Sequence, residues 1–115
     1  SEAAGELRDY RSLSAFFMRP LRAGLRPIDA EHPLVWPCDG TISSCGAVRG
    51  GTLEQVKGRS YSIAELLGGD EELARAFEGG THATIYLAPR DYHRVHSPID
   101  AQLLGQRAIP GGLFP

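Results

Sequence analysis

Covalent and metal cross-links have little to work with in this sequence. Cys38 and Cys45 are its only cysteines among 115 residues. They stand too far apart for a C-x-x-C redox or zinc pair, and two thiols make no disulfide framework, so a reduced, intracellular chain is expected. Also missing is any apolar run near the roughly 20 residues that cross a bilayer, and the opening SEAAGELRDY has no signal-peptide core. Contact with a membrane would be peripheral, or made through an anchor that has been removed. Charge of one sign is lacking too: 12 basic against 14 acidic residues leave −2, so no global field recruits nucleic acid or an anionic surface, and no nucleic-acid partner is expected. There is no internal repeat or low-complexity segment, which excludes a solenoid.

What is present is an ordinary globular composition, 42% hydrophobic and 23% charged, enough to fold around one core. A domain of this length buries only about two-thirds of the surface its unfolded chain exposes. Residues 1–11 are polar and read as loose. Ser12 can then cap a short helix, near 12–19, with Leu13, Phe16 and Phe17 at i, i+3 and i+4 and Pro20 to end it. Residues 21–33 read as an extended surface segment, and Leu34, Val35 and Trp36 as a short strand stopped by Pro37. Residues 40–44 and 47–56 are β candidates, the second broken at Gly50-Gly51, and together they suggest a hairpin. Short helices near 62–78 follow: Ser62 and Glu65 have capping-box spacing before Leu66 and Leu67, and Asp70 can cap a second turn carrying Leu73, Ala76 and Phe77. Residues 81–87 alternate as a strand, and residues 103–109 form a weaker one. The fold class expected is α+β, a β-rich core of small antiparallel sheets, sandwich- or barrel-like, with short helices.

The chemistry-bearing stretch leaves the strand at 81–87. Arg90, Asp91, Tyr92, His93, Arg94 and His96 place two imidazoles, a carboxylate, a phenol and two guanidinium groups within seven residues. Imidazole titrates near neutral pH, so such a cluster can supply a base and an acid. The residue types alone leave two other readings open: a metal held by His93, His96 and a carboxylate such as Asp91, or a hydrogen-bonded strand end with no chemistry. Asp39-Gly40 by itself is a common turn pair. Tyr86 and Tyr92 read as aromatics with a hydrogen-bonded hydroxyl, Lys57 as a surface or packing lysine, and His32 and His82 as structural. Arg90 and Arg94 can receive a phosphate or be paired. Phe16, Phe17, Met18, Leu21 and Leu25 alternate with Arg19, Arg22 and Arg26, a mixture able to rest at a headgroup layer or to pack on the core.

Residues 86–98, YLAPRDYHRVHSP, resemble the Y-L-x-P-x-D-Y-H-x-x-H-x-P segment of phosphatidylserine decarboxylases. The resemblance extends in family order to Phe16-Phe17-Met-Arg19, Arg26-Pro27-Ile28-Asp29, Pro37-Cys-Asp39-Gly40, Lys57-Gly58 through Tyr61-Ser62, and Pro110-Gly-Gly-Leu113-Phe114. It implies a proenzyme that cuts itself before a serine and turns that serine into a pyruvoyl group. The substrate amine would form a Schiff base with that group, and carbon dioxide would leave as phosphatidylserine becomes phosphatidylethanolamine. Carried over by motif, Asp39 would orient the base, His96 would be the base for self-cleavage, and His93 would donate the proton in decarboxylation. Tyr92, Arg90 and Arg94 become substrate-binding candidates, and no metal is implied.

No Gly-Ser pair occurs in the chain. The resemblance therefore makes residues 1–115 a single β-chain portion of such a domain, inactive alone and completed by a pyruvoyl-bearing α-chain. It implies phosphatidylserine and a membrane surface as further partners, leaves room for a homodimer, and places the protein at the membrane, on the cytoplasmic side of a bacterial inner membrane. The contrary reading is a non-catalytic β-rich module of the same fold that binds lipid or protein.

Overall fold

The structure, a computed structural model, describes residues 2–55 and 59–111. Lys57, Gly58, Leu113 and Phe114, which carry parts of the motif resemblance, lie outside the described residues. Backbone contacts divide the chain into two compact units: residues 1–41 with 87–102, and residues 42–86 with 103–115.

In the first unit Ser12 caps helix α1, Leu13–Phe17, its Oγ accepting the Ala15 N–H at 3.1 Å. The helix is shorter than the 12–19 expected. Met18 and Arg19 N–H groups close it on Ser14 and Phe16 carbonyls, and Pro20 has no N–H to continue. Residues 2–4, expected to be loose, are pinned instead. Ala3 bridges Leu21 antiparallel, and the Ala4 and Arg22 N–H groups donate to the Pro20 and Glu2 carbonyls at 2.9 and 3.0 Å. A 3-10 turn at Leu7–Asp9 and an edge-on contact of Tyr10 with Phe16, 5.4 Å between ring centres, anchor the rest of the N-terminal segment. Leu34, Val35 and Trp36 do not form a strand. Backbone bonds tie their neighbourhood at Val35 N–H to Pro98 and His96 N–H to Pro37, at 3.0 and 2.7 Å. Pro33, Pro37 and Pro98 each remove a donor that a ladder would need.

The second unit holds all but the first residue of β1 (Thr41–Ala47), with β2 (Thr52–Gln55), β3 (Arg59–Ser62), α2 (Ile63–Leu66), α3 (Glu71–Arg75) and β4 (Thr81–Tyr86). The hairpin expected between 40–44 and 47–56 is replaced by two separate pairings. β2 pairs antiparallel with β3, Thr52 opposite Ser62 and Gln55 opposite Arg59, while β1 pairs with β4. Val48 N–H reaches the Gly80 carbonyl at 2.8 Å, so the end of β1 meets the start of β4 and the two run in opposite directions. What redirects the chain is the turn from Arg49 to Thr52. Gly50 and Gly51 stand at φ +60° and +66°, the left-handed pair of a type I′ turn. The Glu78 carboxylate accepts both glycine N–H groups at 2.9 Å, which also holds that carboxylate below its ordinary range.

The N-caps expected in 62–78 form: Ser62 accepts from Glu65 N–H at 3.4 Å, one half of the capping box, and Asp70 from Leu73 N–H at 3.0 Å. Val48, Ile63 and Ala74 form the core of this unit, with Leu53, Ala64 and Leu67 packed on it. Residues 103–109 form no strand. Arg107 bonds the Asp70 carboxylate at 3.1 Å and Ile109 covers Gly68, while Leu103 and Leu104 stand 83% and 91% exposed. The architecture is α+β, small antiparallel sheets with short helices.

Candidate functional site

The charged loop after Leu87 belongs to the first unit. It begins with a turn in which the Asp91 N–H donates to the Ala88 carbonyl at 2.8 Å and the Asp91 carboxylate accepts the Ala88 N–H at 2.7 Å. Pro89, with its fixed φ, occupies the second position of that turn, where proline is favoured. The turn is clamped from the end of α1. Arg19, only 8% exposed, donates from Nη2 to the Arg90 and Asp91 carbonyls at 2.6 and 3.0 Å and lies 5.0 Å over the Phe16 ring. Hydrogen bonds from a charged donor contribute roughly 1.5–3 kcal/mol each, so this contact between residues over 70 positions apart is a main support of the loop. Arg94 adds a bond from Nε to the Met18 carbonyl at 2.9 Å.

This geometry corrects the headgroup reading of residues 16–26 for its cations. Arg19 faces inward, Arg22 donates to the Ala3 carbonyl, and Arg26 is paired with carboxylates. Leu13 and Met18 remain exposed.

Asp39 and His96 line the same open cleft of about 570 Å³, together with Arg26, Trp36 and Tyr92. Arg26 grips the Asp39 carboxylate with two bonds, Nε to Oδ1 at 2.8 Å and Nη2 to Oδ2 at 2.5 Å, and also donates to Glu2 at 3.0 and 3.2 Å and to the Leu25 carbonyl at 2.9 Å. The guanidinium holds Asp39 below the usual carboxylate range, burial opposes it, and the Tyr92 backbone N–H adds to the lowering. Beside it burial first, and then the Asp39 charge, push the Cys38 thiol up, which disfavours a thiolate. His96 donates its backbone N–H to Pro37 and meets the Tyr92 hydroxyl at 2.9 Å through Nε2, the two rings stacked 5.5 Å apart. Among the described residues no hydrogen bond joins Asp39 directly to His96, whose ring meets the Tyr92 hydroxyl instead.

The other candidates are placed differently. His93 bonds the Ala88 carbonyl through Nε2 at 2.9 Å, and its ring stacks on Phe17 at 3.7 Å between centres. A carbonyl only accepts, so that nitrogen carries the proton and Nδ1 is left with a lone pair. The Arg90 side chain is 92% exposed, and Arg94 is engaged with Met18. Among the described residues no three His, Cys, Asp or Glu side chains converge as a metal centre requires. Sequence reasoning missed Arg26 and Arg19 as site-building groups, and also His32, which pairs with Asp29 at 2.7 Å on the cleft lining. The signal for Arg26 was available: it opens one short motif, R-P-I-D, 13 residues before the carboxylate of the next, P-C-D-G.

The ion pair has a pH signature. Asp39 ionises more readily folded than unfolded, so its contribution to stability is present above about pH 4 and fades as pH falls through the lowered value. Arg26→Met in the full-length protein is expected to lower the thermal midpoint at pH 7 and to lower it less at pH 3. Because the side chains are 41% and 23% exposed, the loss at pH 7 is held to about 1 kcal/mol by solvent screening. An equal loss at both pH values would assign the effect to packing of the arginine stem.

The family profile described as phosphatidylserine decarboxylase matches residues 13–115. Curated relatives include the phosphatidylserine decarboxylase proenzymes of Herminiimonas arsenicoxydans, 49% identical over 99% of this chain and 39% of the relative, and of Histophilus somni strain 2336, 54% identical over 95% and 37%. The Nitrosospira multiformis proenzyme is 51% identical over 95% of this chain and 37% of its own length. The chain thus spans about two-fifths of the length of the relatives it matches, and with the profile covering nearly all of it, it belongs to the phosphatidylserine decarboxylase family.

Proposed function

We propose that this chain is the β-chain part of a phosphatidylserine decarboxylase, made as a proenzyme and completed by a polypeptide that carries a pyruvoyl group. The observation that carries this reading is the cleft that brings Asp39, Tyr92 and His96 together, within a chain of that family. An imidazole bonded to a phenol beside an ionised carboxylate is a donor set suited to a serine hydroxyl and to a group made from it. When bound, the pyruvoyl group supplies an electron sink for loss of the substrate carboxylate.

The chain's own residues then divide the proton work. His96 accepts the serine proton at a ring nitrogen during self-cleavage. Asp39, kept ionised by Arg26, supplies fixed negative charge at that end of the cleft. His93, its Nε2–H held by Ala88, takes a solvent proton at Nδ1 and gives up that proton after carbon dioxide leaves. The cleft is lined by more apolar than polar surface, including Trp36 and Leu34, and takes the headgroup region of phosphatidylserine.

A second polypeptide is also supported by burial. Leu103, Leu104, Ile28 and Val95 are among many exposed large apolar side chains, and only Ala3, Val48, Ile63 and Ala74 are buried hydrophobic residues among those described. That surface calls for a cover within one larger domain. At the membrane, on the cytoplasmic face of a bacterial inner membrane, Leu13 and Met18 would supply the apolar contact.

Mass spectrometry of the full-length gene product tests the reading. Two chains, the second with a blocked N-terminus, are expected, together with carbon dioxide release from phosphatidylserine vesicles. One intact chain with no release would leave the binding-module reading in its place.

A further inference from the structure

His93 and His96 stand three residues apart, yet different parts of the chain hold them. The ring of His93 stacks on Phe17 at 3.7 Å between centres, and its Nε2–H goes to the Ala88 carbonyl at 2.9 Å. His96 is fixed by its backbone N–H on the Pro37 carbonyl and by the Tyr92 hydroxyl at its ring. Both supports of His93 lead to Arg19. Phe17 lies two residues before it in the chain. Ala88 begins the turn whose Arg90 and Asp91 carbonyls accept from Arg19 Nη2 at 2.6 and 3.0 Å.

Arg19 is a bridge anchored at both ends. Its Nη1 reaches the Phe16 carbonyl at 3.5 Å, its guanidinium lies 5.0 Å over the Phe16 ring, and the residue is buried. A planar fork that donates to the helix end from one nitrogen and to the turn from another sets their spacing as well as their attraction, which a flexible ammonium does not.

Resting on the proposed role of His93 in decarboxylation, we infer that Arg19 is a positioning residue for that imidazole. It docks the turn at 88–91 against the end of α1, and the docked turn presents the Ala88 carbonyl where His93 can donate Nε2–H while stacked on Phe17. Ring plane and tautomer are thereby fixed together, and Nδ1 keeps the lone pair that takes up a solvent proton and gives it up again. Without the bridge the loop retains its tie to Pro37 at His96 and the exposed bond from Arg94 to Met18, but the turn itself is released from α1. The two imidazoles should therefore respond unequally. A misplacement of about 1 Å can cost on the order of 100-fold in rate.

The test uses full-length protein and follows self-cleavage on gels together with carbon dioxide release from phosphatidylserine vesicles. Arg19→Met keeps an unbranched stem and removes the fork. In the cut enzyme kcat for decarboxylation is expected to fall roughly 10- to 100-fold with KM little changed, while processing slows far less. Arg19→Lys, with a charged donor but no fork, should lie between the unaltered protein and Arg19→Met, and it carries the comparison if the methionine variant does not fold. Because Arg19 acts through His93, adding Arg19→Met to His93→Gln should cost much less than Arg19→Met costs alone. An undiminished cost in the His93→Gln background overturns the inference, as does kcat at the original level in Arg19→Met. So does processing slowed as much as turnover, which would make Arg19 a support of the whole loop. His93→Gln turning over at the original rate would overturn it differently, by removing the role on which it rests.

Discussion

His96→Ala in the full-length protein is expected to leave a single uncut chain. A serine hydroxyl is a weak nucleophile at neutral pH, and a positioned base is worth about 10²–10⁴ in rate. Processing should fall by at least the lower end of that range. The substitution is a clean one for the fold: the contact between His96 and Pro37 runs through the backbone N–H, which alanine keeps. The side chain is exposed to the cleft and supports no core cluster. Denaturing gels of freshly made protein, followed over hours, read the result directly. Two chains appearing at the usual rate would take the base role away from His96, and with it the meaning given to the cleft.

The second large effect concerns decarboxylation and calls for His93→Gln rather than alanine. His93 has a structural duty as well, since its Nε2 bonds Ala88 and its ring covers Phe17. Alanine would remove both contacts and could disturb the loop, confusing two causes. Glutamine keeps an N–H donor on a side chain of similar reach, but it has no group that titrates near neutral pH. The expected outcome is nearly normal cutting with carbon dioxide release reduced about 100-fold or more. Turnover at the original rate would pass the proton-donor role to another group. Failure to cut would show that His93 matters through the shape of the loop.

The two predictions separate because the imidazoles, three residues apart, have different surroundings. His96 meets Tyr92 and lines the cleft with Asp39, whereas His93 leans on α1 through Phe17. Their spacing in the sequence carries no hint of this division. It follows from the turn at Ala88–Asp91 and from the clamp of Arg19 upon it.

Much of the local architecture was legible because its causes are local. Ser12, Ser62 and Asp70 each accept an N–H three residues ahead, and Gly50-Gly51 supplies the two left-handed residues that one turn type requires. The turn that opens the charged loop is local too, Asp91 bonding Ala88 three residues back. The misreadings were of a different kind. Alternation in 34–36 and 103–109 predicts strands that do not form, that in 40–56 predicts a different pairing, and the polarity of 1–11 predicts a loose segment where Ala3 is bridged to Leu21. Each depends on what a segment meets, and alternation along a chain does not state which edge it will find.

The sequence by itself determined the capped helices, the turns, the motif order that points to the family, and the presence of two histidines beside Asp91. Tertiary structure alone decided that Arg19 turns inward to hold the loop, that Arg26 takes both oxygens of Asp39, and that Tyr92 rather than Asp39 meets His96. The physical reason is reach. A cap or a turn is fixed by neighbours within four residues, while a guanidinium finds its acceptors only after loops dozens of residues apart have closed, and the entropy of that closure is offset by contacts no short window contains.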